Sequence, residues 1–266
     1  MSVISVVAGK GSPGVTTTAL LLAAVWPRPA VFVEGDPSGG DIVFRLRRDD
    51  GSALAGDRGV VSLATALRVP ATDLDLTDHV QLVDGGLPVL VGVASPAHAN
   101  ALAGSWRGVA DALAGWVGGD VFVDCGRLSG EVASRELLQC SARVVVVCRA
   151  TPAGVAHTRS ALEVLRAGGD GPSVSVLVIG DSDAPTQVGA ALRGFGELDV
   201  IGPLASDPDA AQALAGRWTR RLDRSALVVS ARLVARMIDA RLPRPATAAV
   251  QVPTPELPLS LVGEAG

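Results

Sequence analysis

Residues 3–25 read VISVVAGKGSPGVTTTALLLAAV: an apolar run, a glycine-rich break, then a second apolar run. The first run is continuous rather than alternating, as in a parallel strand buried on both faces. The second has helical length and composition. A strand that ends in a glycine-rich loop and opens a helix directs backbone N–H groups and the helix N-terminus at one point, where the macrodipole favours an anion. Thr16 is placed to ligate Mg2+ through its hydroxyl, and Thr17 to contact a phosphate. On spacing alone, an ordinary glycine-rich strand–helix turn stays open as an alternative.

The same grammar continues outward. Strand-like runs recur at 30–35, 87–93, 120–125, 142–149, 173–181 and 198–204. Between and after them lie helix candidates at 16–25, 60–67, 97–115, 130–139, 153–168, 185–195, 207–215 and 225–241. Strands alternating with helices predict a parallel sheet covered on both faces, with right-handed crossovers. Residues 1–242 are expected to form one domain. From Pro243 the chain reads PRPATAAVQVPTPELPLSLVGEAG, which predicts a Pro/Ala-rich disordered tail.

Composition narrows the function class. The chain is 48% hydrophobic and 19% charged, a globular balance. No apolar run approaches the ~20 residues of a spanning helix, and no secretory signal pattern opens the chain, so a cytoplasmic protein is expected. Cys125, Cys140 and Cys148 sit in or beside apolar segments without metal-ligand spacing, as reduced core thiols do. His79, His98 and His157 are scattered and support neither a triad nor a metal site. Lys10 is the single lysine among 23 basic residues. Drift from lysine to arginine has spared it, which argues for a retained role.

The loop resembles the deviant Walker A motif, KGGxGK(S/T), of the ParA/MinD group of P-loop ATPases. Lys10 falls on the signature lysine, and Gly11, Gly14, Thr16 and Thr17 match, while Ser12 stands for a glycine and Val15 for the second lysine. The resemblance covers roughly residues 1–240 and implies a three-layer αβα sandwich with a mostly parallel, P-loop NTPase (SIMIBI-type) central sheet. It implies ATP and Mg2+ as cofactors, with Gly9, Lys10, Gly11, Ser12, Pro13, Gly14, Val15, Thr16 and Thr17 forming the phosphate cradle. It also implies a nucleotide-sandwich homodimer in which Lys10 reaches the partner's phosphates. The lysine missing at Val15 is the one that holds the β- and γ-phosphates within a subunit. Losing such a charge slows chemistry by about 10²–10³-fold, so hydrolysis is expected to be slow or absent.

Two acidic segments follow in the order such an ATPase requires. In FVEGDPSGGDI (32–42), Asp36 falls on the acid that positions the attacking water and Glu34 on the first acid of the same pattern. In DVFVDC (120–125), which resembles a Walker B strand, Asp124 is expected in the Mg2+ shell; Thr16, Asp36 and Asp124 are thus the candidate metal residues, and Asp36 and Lys10 the candidate catalytic ones. The following CGRLSG departs from the family's switch sequence, and Gly180-Asp181 stands where the family often keeps an adenine-reading Asn. SARVVVVCRATPAGVAHTRSALEVLR (141–166) resembles the strand and helix after the switch, and DVIGPLASDPDAAQALAGRW (199–218) the late segment near the base. EGDPSGGDI, GVVSLATAL and HVQLVDGGLPVLVGVASPAHANAL together resemble the CpaE/TadZ branch, which localises pilus and secretion machinery.

Three functions follow from the resemblance. One is a dimerising positioning switch with a protein partner in a partition, septum, pilus or secretion system, recruited to a pole, septum or nucleoid. Another is a pseudo-ATPase scaffold. The third is nonspecific DNA binding through Arg217, Arg220, Arg221 and Arg224, in a segment whose eight arginines between 217 and 244 face only Asp223 and Asp239. The helix there is expected to bury Leu227, Val228, Leu233, Val234 and Met237, leaving its arginines on a solvated face.

Overall fold

The apolar runs become strands of one sheet: β1 (Val3–Ala8), β2 (Ala30–Glu34), β3 (Gln81–Leu82), β4 (Pro88–Leu90), β5 (Asp120–Arg127), β6 (Arg143–Arg149), β7 (Ser173–Ile179) and β8 (Asp199–Leu204). Their spatial order is β3-β4-β2-β5-β1-β6-β7-β8, parallel except for the β3–β4 edge pair. The computed structural model describes residues 1–11, 14–69, 75–128, 132–167, 171–217 and 222–243. Ser12, Pro13, Arg220, Arg221 and the expected tail from residue 244 onward lie outside the described residues, and of Arg217 only the backbone is described.

The helices are α1 (Val15–Ala24), α2 (Ile42–Arg45), α3 (Val60–Ala66), α4 (Pro96–Ala101), α5 (Trp106–Ala114), α6 (Val132–Gln139), α7 (Pro152–Ala167), α8 (Ala184–Ala191), α9 (Pro208–Gln212) and α10 (Ala226–Asp239). Alternate strand residues feed two cores. Ile4, Val6, Phe32, Phe122 and Leu177 pack with α1 and α10, whereas Val3, Val7, Val33, Val123 and Val146 pack with α3, α5, α6 and α7. Burial on both faces explains why these strands read as unbroken apolar runs. The result is the three-layer αβα sandwich expected for a P-loop NTPase.

Local structure departs from expectation in three places. The helix expected over 97–115 is broken into α4, a 3₁₀ turn (Ala103–Ser105) and α5. There the Trp106 indole N–H donates to the Ala99 carbonyl at 3.0 Å, satisfying the end of α4 and folding the ring into the core. On α10, Leu227, Val228 and Val234 are buried as expected and Met237 is half-buried, but Leu233 is 58% exposed because it points off the stripe that Leu227 and Val234 share. Finally, β3 and α2 have no counterpart among the sequence expectations.

Candidate nucleotide site

Strand order reverses around β1. The chain leaves β1 toward β2 on one side, and later passes from β5 to β6 on the other. In open α/β sheets, ligands bind outside the carboxyl ends of the strands at such a switch point. Gly9, Lys10, Gly11 and Gly14 lie there. Gly14 opens α1 with φ 97° and ψ 37°, a left-handed geometry that favours glycine, and no side chain caps the helix. The first helical bond of the turn is Thr18 N–H to the Gly14 carbonyl at 2.9 Å, so the amides that precede it belong to the unpaired first turn. Val15 is 7% exposed and packs into the core beside α1, so only its backbone faces the loop.

The carboxylates beside the loop play different parts. Asp124, 1% exposed, accepts the Gly126 N–H at 2.9 Å and hydrogen-bonds the Thr16 hydroxyl. Burial, helped by the neighbouring Asp36 charge, raises its pKa to about 6 against the pull of those two bonds and of the Arg45 charge. Asp36 is half-buried, accepts the Ser38 N–H at 2.8 Å, and lies directly over Gly126. Gly126 has φ +60°, and a Cβ there would run into the Asp36 carboxylate, so both backbone geometry and space call for glycine. Its place in the site was not legible before the strand ends were seen together.

Glu34 takes no part. It is 3% exposed, and its two carboxylate oxygens accept the Ile42 N–H at 2.9 Å and the Gly92 N–H at 3.0 Å, pinning α2 and the β4 end to β2. Its pKa is raised, chiefly by burial. Of the two acids in FVEGDPSGGDI, the structure thus brings Asp36 to the site and ties Glu34 into the scaffold.

Two clefts flank the loop. One, about 180 Å³, is lined by Lys10, Gly11, Thr151 and His157, with Lys10 itself exposed. The other, about 130 Å³, runs from Gly14 and Thr17 past Ile179 to Ser206, Asp207 and Leu227. Arg149, at the end of β6, lines both and was not among the residues singled out from the sequence. Asp181 lies outside the second cleft's lining and instead accepts the Ala184 N–H at 3.1 Å at the start of α8.

The donor set suits a hard divalent cation. Thr16 and Asp124 are oxygen donors in contact, with Asp36 beside them, and among the described residues no cluster of three or more His, Cys, Asp or Glu could form a self-sufficient metal cage. Mg2+ is commonly bound in this way, by one or two protein oxygens that leave positions for phosphate and water.

No protein-family model and no curated protein sequence matches the chain. Solved structures do. A ParA family ATPase from Chlorobium tepidum superposes with a TM-score of 0.69 at 16% identity, over 88% of this chain and 98% of that one. The fold is that of the ParA/MinD ATPases. The cell division ATPase MinD from Pyrococcus furiosus gives 0.69 at 16% identity, over 90% of this chain and 99% of that one. A cobyrinic acid a,c-diamide synthase from Mycobacterium smegmatis, solved with an ATP analogue and magnesium, gives 0.63 at 21% identity, over 91% and 95%. Among the described residues, no helix is long and apolar enough to cross a membrane.

Proposed function

We propose that this chain is a ParA/MinD-like nucleotide-binding protein, a spatial-positioning switch that dimerises around Mg·ATP and hydrolyses it slowly or not at all. The observation that carries the reading is the contact between the Thr16 hydroxyl and the buried Asp124 carboxylate, directly under a glycine loop at the sheet's switch point. Thr16 and Asp124 would hold Mg2+, with Asp36 beside them; the ion supplies neutralisation of phosphate charge. The amides opening α1 bind phosphate oxygens, Thr17 adds a hydroxyl, and Asp36 orients water. Lys10 reaches a partner subunit's nucleotide. Among the neighbours of known structure, MinD from Pyrococcus horikoshii was solved with Mg-ADP, and a plasmid partition protein from Borrelia burgdorferi with AMPPNP. Within the class, the deviant Walker A loop and the three segments between residues 34 and 102 favour the CpaE/TadZ branch, hence a partner in a pilus or secretion system.

Size-exclusion chromatography with and without millimolar Mg·ATP tests this. The wild-type chain is expected to shift to a dimer with nucleotide, and Lys10→Ala to remain a monomer. An unchanged wild-type elution contradicts the switch. It would favour the second reading, a scaffold without turnover, which rests on Val15 having become a core residue. DNA binding is supported by the exposure of Arg224 in the turn before α10 and of Arg232 and Arg236 on that helix, and a salt-dependent mobility shift with plasmid DNA checks it.

A further inference from the structure

A polyphosphate in this cradle would meet the amides of α1 but no cation from the loop's own helix, because Val15 is packed in the core. Another cation stands at the loop. We propose that Arg149 binds the phosphate chain of the nucleotide and supplies, from β6, the charge that Val15 lacks; this rests on the nucleotide-binding reading above.

Position is the first argument. β6 lies against β1, with Val7 opposite Val146, so the end of β6 emerges beside the loop. Among the described residues, Arg149 is the one that lines both flanking clefts, with Lys10 and Gly11 on one side and Gly14 and Thr17 on the other. Its backbone is held in place: Ala150 N–H donates to Ile179 at 3.1 Å, and Thr151 N–H returns to the Arg149 carbonyl at 2.7 Å.

Availability is the second. Among the described residues no carboxylate pairs with the exposed Arg149 guanidinium, in contrast to Arg28, Arg143 and Arg241, each of which is tied to aspartate. Arg45, the other arginine whose charge reaches the site, is held by Asp41 at 2.7 Å. A free guanidinium presents a planar fork of donors matched to phosphate oxygens, and charge-assisted bonds of this kind are the strong ones.

Calorimetric titration of the full chain with Mg·ATP, ADP and adenosine, at low and high salt, tests the proposal. Arg149→Ala is expected to weaken Mg·ATP at least about tenfold, ADP less, and adenosine within about twofold. It should also flatten the salt dependence of ATP binding, while Arg149→Lys recovers part of the loss. The melting temperature without nucleotide should stay unchanged, since Arg149 is exposed and carries no ion pair among the described residues. Arg149→Ala binding Mg·ATP within twofold of wild type overturns the role of Arg149 alone. An equal loss for adenosine and ATP overturns it too, by showing a structural effect. A wild-type chain that binds none of the three removes the nucleotide reading and this proposal with it.

Discussion

Asp120 and Asp124 lie on one strand, both buried, at 2% and 1% exposure, and their surroundings are opposite. Asp120, at the amino end of β5, accepts the Ser2 N–H at 2.8 Å and the Trp26 indole N–H at 2.7 Å. It also pairs with Arg28 at 2.6 Å, which in turn bridges to Asp239 at 2.8 Å. Asp124, toward the carboxyl end, has one backbone N–H and one hydroxyl, no paired guanidinium among the described residues, and a pKa pushed up to about 6. The same division holds elsewhere in the sheet. Arg143 at the amino end of β6 is tied to Ser175 and Asp199, while Arg149 at its carboxyl end is free of carboxylates among the described residues. A buried carboxylate whose donors are complete is part of the scaffold. One without a paired guanidinium, beside the loop at the end of the sheet where ligands bind, is suited to a metal cation.

The comparison breaks first at Asp120. Asp120→Ala strands the Ser2 amide and the Trp26 indole and leaves Arg28 with Asp239 as its remaining carboxylate, and should cost about 3 kcal/mol in urea unfolding without changing nucleotide affinity. Next is Asp124. Folded, its proton is held up to about pH 6; unfolded, the group titrates near its ordinary 3.8. The nucleotide-free chain therefore loses stability as pH rises through that interval. Asp124→Asn should reduce the slope, with the raised Glu34 carboxyl keeping part of it, and be the more stable protein above pH 6, by about 2 kcal/mol, as read from urea midpoints across pH. A smaller effect is expected at Glu34, where Gln presents an NH2 group to one of two backbone amides; Glu34→Gln should cost about 1–2 kcal/mol. Smallest is the stability effect of Lys10→Ala, exposed on its cleft and expected within about 0.5 kcal/mol, even though the proposed switch predicts that it abolishes dimerisation.

Much of this was legible in the amino-acid sequence because the long parallel strands are buried on both faces and advertise themselves as apolar runs. The strand–loop–helix around Gly14 and the acid at the end of β5 were legible for the same reason: each is a local pattern. What was not legible depends on distant segments meeting. β3 is two residues of an edge pair and carries no period. Glu34 and Asp36 look alike in sequence, and only the closure of Ile42 and Gly92 around Glu34 separates scaffold from site. The 97–115 helix breaks because a tryptophan reaches back to Ala99, a choice that composition does not record. Arg149 lies far along the chain from the loop and becomes its neighbour through the β5-β1-β6 order alone.

Asp124, buried, bonded to the Thr16 hydroxyl and beside Asp36, is proposed to serve a metal-bound nucleotide. Isothermal titration of Mg·ATP into the nucleotide-free wild-type chain and into Asp124→Asn, each repeated with EDTA, tests it most directly. Binding at one site per chain, weakened at least about tenfold both by EDTA and by the substitution, is the result expected. No binding at millimolar Mg·ATP, or an affinity indifferent to both metal and Asp124, would contradict it.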